Sequence, residues 1–305
     1  MSDTLSLVVI DSGLGGLSVV ADLAKQLAKS SPKPIANLTF YNAWPSLTTP
    51  YNVMPSLACK TRVFSDALDG TYAFSPDNVL IACNTLSVLY HDTDFAKTTE
   101  TKVSGIIEFG VDTILEKLNS TPQSKIVIAA TPTTIEAATH KEALIKAGIA
   151  EERIITQDYG RLAEKIEKDP DSQEVCQMIE QYTEQAKAKL SADDKSTIFA
   201  ALCCTHYGYS MNAFQGSLDK CFNQHVEILN PNQAMSAGSI PETETMQQDV
   251  TLNIRVVSKV AIEQDKIDAI GKIISNISPE TCLALNKYEL NENLFEFNYS
   301  HIEQG

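Results

Sequence analysis

Apolar residues fall along this chain in two alternating rhythms. Short solid runs have the length and β-branched content of buried strands: Leu5-Ser6-Leu7-Val8-Val9-Ile10, Leu38 to Tyr41, Val79 to Ala82, Ile126 to Ala130, Ile198 to Leu202 and Val226 to Leu229. Between them, apolar residues recur at helical spacing. Leu17, Val20, Leu23, Ala24 and Leu27 form one face of a helix over 17–29, and Val111, Ile114, Leu115 and Leu118 form another. Met54 to Leu68 reads as a helix with Pro55 in its first turn, where the missing N–H goes unnoticed. Ile135 to Ala147 reads as one helix stopped by Gly148, and Ser172 to Leu190 as a long amphipathic helix. Leu252 to Ser258 and Asp265 to Asn276 read as a last strand and helix. Such alternation predicts an α/β protein whose parallel strands are covered by helices.

The pattern also repeats. One strand ends at Asp11-Ser12 and a later one at Ala82-Cys83-Asn84-Thr85; then one ends at Thr131 and a later one at Cys203-Cys204-Thr205-His206. The interval from 11 to 83 nearly equals that from 131 to 204. Open parallel sheets bind ligands beyond the carboxyl ends of their strands. Two similar α/β domains facing each other would therefore enclose a central cleft with one cysteine on each wall. A chain of 305 residues is comfortable for two cores. The expected division is 1–104 with 224–305, carrying Asp11 and Cys83, and 105–223, carrying Cys204 and His206.

Charge and cysteine usage narrow the function class. The formal charge is −15, and the 24 basic residues are scattered, so nucleic acid and anionic membranes are poor partners. No apolar run approaches the ~20 residues that span a bilayer, and Met1 to Leu7 carries no basic stretch ahead of an apolar one. A soluble, cytoplasmic protein is the expectation. The seven cysteines, at 59, 83, 176, 203, 204, 221 and 282, are odd in number and do not space like a disulfide scaffold. Only Cys203, Cys204 and His206 approach zinc-ligand spacing, and no partner cluster accompanies them, so no metal is expected.

Three strings carry the candidate chemistry. Asp11-Ser12-Gly13-Leu14-Gly15-Gly16 follows a strand and precedes a helix; its glycines allow a tight turn and leave backbone N–H groups free for an anion. A dinucleotide loop is the rival reading, but its last small residue would stand where Ser18 does, and Asp11 would repel a pyrophosphate. The other two strings are Ile81-Ala82-Cys83-Asn84-Thr85 and Leu202-Cys203-Cys204-Thr205-His206-Tyr207. In each, an apolar strand delivers a cysteine followed by side chains that can grip a carboxylate. Either cysteine alone would more often be a core residue. Their matched settings favour chemistry.

Together these strings resemble the glutamate racemases of the aspartate/glutamate racemase superfamily, which show an Asp-Ser-Gly-x-Gly-Gly opening, an Ala-Cys-Asn-Thr centre and a Cys-Thr-His-Tyr motif in this order. Weaker echoes are Pro50-Tyr51-Asn52, Gly105 to Gly110, Thr131 with Thr134, and Asn230 to Ala234, so the resemblance spans roughly 5–240. Asn52, Leu86 and Gly208 depart from the family pattern. The resemblance implies two-base proton transfer at Cα without a cofactor, with Cys83 and Cys204 exchanging acid and base roles, assisted by Asp11 and His206. It implies glutamate as the small-molecule substrate, held by Asp11, Ser12, Tyr51, Asn52 through its backbone, Asn84, Thr85, Thr205 and His206, with Thr131 and Thr134 in reserve. A glutamate near 164 would support His206. The same resemblance implies a homodimer and D-glutamate supply for peptidoglycan. Aspartate racemisation, decarboxylation or isomerisation in the same cleft, a thiol hydrolase built on Cys204 and His206, and a binding protein without turnover are the alternatives. The four cysteines at 59, 176, 221 and 282 lack such settings, and Cys203 should point away from Cys204.

Overall fold

The computed structural model describes residues 3–241 and 246–297. Its strands are β1 Thr4–Asp11, β2 Ile35–Asn42, β3 Asn78–Ile81, β4 Lys102–Gly105, β5 Lys125–Ala130, β6 Ile154–Asp158, β7 Ile198–Cys203, β8 Glu227–Leu229, β9 Thr251–Ser258 and β10 Glu289–Leu290. They form a six-stranded sheet in the order β10-β9-β2-β1-β3-β4 and a four-stranded sheet in the order β6-β5-β7-β8. Every pairing in both sheets is parallel. This is the expected α/β architecture of two similar parallel sheets. The segment β2-β1-β3-β4 has the same order as β6-β5-β7-β8, so the repeat seen in the sequence is a repeat of topology. The first sheet then adds β9 and β10 beyond β2.

The strands are solid apolar runs because both faces are covered. Val8, Val9 and Ile10 of β1 and Val127 and Ile128 of β5 are all buried. One apolar core takes residues from both sheets, among them Val9, Leu38, Val127 and Ala200. The helix Pro231–Gly238 packs against both the helix Leu17–Leu27 and the helix Ile106–Ser120. From it Asn232 donates to Ser18 Oγ at 2.9 Å and to the Thr205 carbonyl at 3.0 Å, tying the mouth of one sheet to that of the other.

Three expectations need correction. The expected division puts the run near Val226 in the first domain, but β8 pairs with β7, so 227–229 belong to the four-stranded sheet. Its short strand finds a parallel neighbour there, while the first sheet is extended by β9 instead. Pro55 lies ahead of its helix: Ser56 caps Leu57–Gly70 by accepting from the Cys59 N–H, which is a stronger start signal than the apolar spacing before it. The stretch 135–147 is two helices, Pro132–Glu136 and Thr139–Lys146. Thr131 caps the first, accepting from Thr134 N–H with Pro132 following it, and Ala138 breaks the run at φ +52°.

A left-handed alanine costs about 1–2 kcal/mol, most of which glycine avoids at some entropic penalty. Ala138→Gly should therefore raise unfolding stability by up to about 1 kcal/mol, read as a higher urea midpoint. A lower midpoint would show that this bend is not strained.

Candidate active site

The four central strand ends converge. β1 ends at Asp11 and runs through the loop Ser12–Gly16; β3 leads to Cys83, and Asn84–Ser87 forms one helical turn behind it. From the other sheet β5 leads to Thr131 and β7 to Cys204, Thr205 and His206. A cavity of about 520 Å³ lies between them, walled by Ser12, Cys83, Asn84 and Thr85 on one side and by Cys204, Thr205 and His206 on the other.

The wall built on β7 is a chain of charged groups. His206 Nε2 meets Glu167 Oε1 at 2.7 Å, and its Nδ1 faces Cys204 Sγ at 3.8 Å. Burial alone would strip the imidazole of its proton; the Cys204 sulfur and the Glu167 carboxylate outweigh it, so His206 stays protonated well above the usual range. Burial likewise opposes the Glu167 charge, but His206 and Lys266 hold this carboxyl below its ordinary value. Glu167 Oε1 also accepts the Leu14 N–H at 2.7 Å.

The wall built on β3 is different. Cys83 Sγ and Ser12 Oγ are hydrogen-bonded at 3.1 Å. Burial, reinforced by the nearby Asp11 charge, pushes this thiol up to about 12 despite that bond. Asp11 is fully buried behind the wall and is not among the residues lining the cavity. Its carboxylate accepts from Gly13 N–H at 3.1 Å and from the Thr205 hydroxyl at 2.9 Å. Burial raises it to about 6 against the lowering pull of His206. In the free protein one sulfur is thus a neutral thiol and the other sits beside a protonated imidazole.

Groups that could grip a ligand are present without protein partners. Tyr51 Oη and both polar atoms of the Asn84 amide are buried and make no hydrogen bond to the protein. Thr85, Thr131 and Thr134 share a triangle of hydroxyl contacts at 2.9, 2.9 and 3.5 Å. Thr133 also lines the cavity and accepts from the buried Lys60 ammonium at 3.1 Å, which places a cation behind that end. Asn52 lies in the turn Tyr51–Val53, and its side chain is outside the described residues. Cys203 turns away, into the apolar cluster with Ile128 and Leu229. Among the described residues no group of three or more His, Cys, Asp or Glu is placed to hold a metal ion.

The unpartnered Asn84 amide gives a prediction. Asn84→Ala removes two buried polar atoms whose desolvation is worth about 1–3 kcal/mol when unpaired. Thermal stability should be unchanged or higher, while any ligand held by this amide should bind about tenfold or more weakly, at roughly 1.4 kcal/mol per factor of ten. Melting curves and ligand titrations of the variant check both halves, and a lower Tm with unchanged binding would contradict them.

Several lining residues were not singled out in the sequence. The glutamate expected near 164 is Glu167; Glu164 instead pairs with Arg161 at the rim. Trp44 and Arg161 also face the cavity. Nothing local marks Glu167, which lies in the short helix Leu162–Lys168. The glycines of the first string have a second use. A Cβ at Gly13 would stand 2.6 Å from Glu167 Oε1 and 3.2 Å from the His206 ring, and one at Gly15 would collide with the Thr205 hydroxyl. These glycines admit side chains from the opposite sheet, and the anion that meets the Leu14 N–H is the protein's own carboxylate.

No family model matches the chain. The glutamate racemase of Agrobacterium fabrum is 26% identical over 211 residues, covering 68% of this chain and 71% of that one. The chain is thus similar in sequence to glutamate racemases. A second relative, the glutamate racemase of Campylobacter jejuni, is 29% identical over 140 residues, 46% of this chain and about half (52%) of its own length. In three dimensions the glutamate racemase of Francisella tularensis, solved with D-glutamate, superposes with a TM-score of 0.66 at 19% identity, covering 90% of this chain and 95% of that one. The two-sheet fold is therefore the fold of that glutamate racemase. No helix among the described residues is long and apolar enough to cross a membrane.

Proposed function

We propose that this protein interconverts L- and D-glutamate by a two-thiol proton transfer without a cofactor. The observation that carries the reading is the pairing of Cys83 and Cys204. They come from corresponding strands of the two sheets and wall the same cavity. Inversion at Cα requires a base on one face and an acid on the other. One sulfur, as thiolate, takes the Cα proton; the electron pair left on carbon delocalises into the neighbouring carboxylate; the other sulfur, as thiol, returns a proton to the opposite face. The roles reverse for the other enantiomer. Thiols suit this because their ordinary pKa, about 8.5, lies near working pH.

The free polar atoms of Asn84 and Tyr51, with Ser12, Thr85 and Thr205, are the groups assigned to the substrate's carboxylates and ammonium. Asp11 and His206 are positioning residues behind and beside the cysteines. The cation behind Thr133 suits a substrate with a second carboxylate. In this reading the protein works in the cytoplasm as a homodimer and supplies D-glutamate for peptidoglycan, and so for cell-wall growth and cell shape.

The test is circular dichroism of each enantiomer with purified protein and no added cofactor, in deuterium oxide, for glutamate and aspartate in parallel. Loss of optical rotation with deuterium at Cα of glutamate is the expected result. Turnover of aspartate alone would reassign the substrate, and release of carbon dioxide or ammonia would move the reaction class. Tight glutamate binding with no Cα exchange would make the protein a binding module.

A further inference from the structure

The helix Gln264–Ile274 follows β9 and packs against the helix that carries Glu167. From its first turn Lys266 reaches the active-site wall. Its ammonium lies 3.4 Å from Glu167 Oε2, the oxygen that His206 does not use, and 4.9 Å from the centre of the Trp44 ring. Both side chains of the ion pair are buried or nearly so, at 16% and 4% exposure. Trp44 in turn lines the cavity. We propose that Lys266 is a positioning residue of the active site, holding Glu167 from behind so that the Glu167–His206–Cys204 chain keeps its geometry and charge. This deepens the racemase reading above and rests on it.

A carboxylate that meets imidazole through one oxygen can swing about its last bond. Lys266 fixes the other oxygen and adds a cation in a site where burial disfavours charge. The groups facing this chain are Glu263 on the lysine's own helix, 3.6 Å from its ammonium, Asp11 and Tyr209 near Glu167, and Cys204 at His206. Asp11 and Glu263 are carboxyls, so Lys266 is the cation that balances them on the Glu167 side. Trp44 gives the ammonium an aromatic face in place of water.

Losing a cation favours the protonated form of every acid and base beside it. Lys266→Met should therefore move both limbs of the pH–kcat profile to higher pH and lower kcat about tenfold with little change in KM. Lys266→Arg should restore both limbs. In a Glu167→Gln background the lysine substitution should add little, because the two act as one unit. A readout independent of turnover is the carbon-13 titration of the His206 ring, identified by its loss in His206→Asn. Its midpoint should rise in Lys266→Met and return in Lys266→Arg. Inactivity of the parent with glutamate would sink the racemase reading while the ring titration still judges Lys266. Unmoved limbs and an unmoved ring titration in Lys266→Met, or fully additive effects with Glu167→Gln, would overturn the proposal.

Discussion

Cys83→Ser and Cys204→Ser should each stop the proposed interconversion of L- and D-glutamate, lowering kcat on the order of 10⁴-fold or more, the upper range for loss of a general acid or base. Both enantiomers are affected by each substitution, because inversion needs a proton removed on one face and delivered on the other. Serine is nearly isosteric and can keep the Ser12 contact at position 83, so the fold survives. What is lost is acidity: a hydroxyl is a far weaker acid than a thiol and does not form the anion needed as base. Cys59 and Cys282 are the controls. They sit in the helices Leu57–Gly70 and Pro279–Asn286 and do not line the cavity, so their serine variants should match the parent.

A finer expectation separates the two walls. Elimination from a β-chloro amino acid needs only one base: a thiolate takes the Cα proton, the electron pair forms the Cα–Cβ double bond, and chloride leaves. Each single serine variant should therefore retain elimination with one enantiomer of such a substrate, and the two variants should prefer opposite enantiomers. Pyruvate release from each enantiomer of β-chloroalanine measures this, since its enamine product tautomerises to the imine and hydrolyses to pyruvate and ammonia. Near-parental racemisation by either variant would remove the two-thiol mechanism for this protein.

Much of this site is legible because its residues stand directly at strand ends. Cys83, Asn84 and Thr85 follow β3 after Ala82 alone, and Cys204, Thr205 and His206 follow β7 directly, so local apolar runs already point them at a common mouth. The supporting groups are not legible in the same way. Glu167 comes from a seven-residue helix without a motif, and its partners His206, Leu14 and Lys266 are far from it in sequence. Glu164 and Glu167 lie one turn apart on the same helix face and both line the cavity, but Glu164 pairs with Arg161 while Glu167, one turn on, reaches His206 and the Leu14 N–H under the β1 loop. The same holds for Gly13 and Gly15, whose lack of a side chain makes sense only once Glu167, His206 and Thr205 are seen against them. The break at Ala138 was hidden because periodicity averages over a window, whereas a capping threonine followed by proline acts at one position.

Asp11→Asn should make the protein more stable and less active. The Asp11 carboxyl is fully buried, and burial raises it to about 6 from 3.8. The folded chain thus binds this proton more tightly than the unfolded chain. Its contribution to stability is whole below pH 3.8 and is lost as pH climbs through about 6. At pH 8 the charged form carries a penalty of about 2–3 kcal/mol, at roughly 1.4 kcal/mol for each pKa unit. Asparagine keeps the shape and can still accept from Gly13 N–H or the Thr205 hydroxyl, but it carries no charge to bury. Urea unfolding at pH 8 should show the variant ahead by about that amount, with the gap closing toward pH 4. Activity should move the other way. The Asp11 anion orients the Thr205 hydroxyl and sets the charge between Cys83 and His206. Parental kcat/KM should rise with pH through about 6 as Asp11 ionises; in the variant that limb should vanish and the plateau should fall on the order of 10²-fold. A variant that is less stable than the parent at pH 8, or that keeps the limb near 6, would show that the buried charge is neither the stability cost nor the functional group inferred from its position.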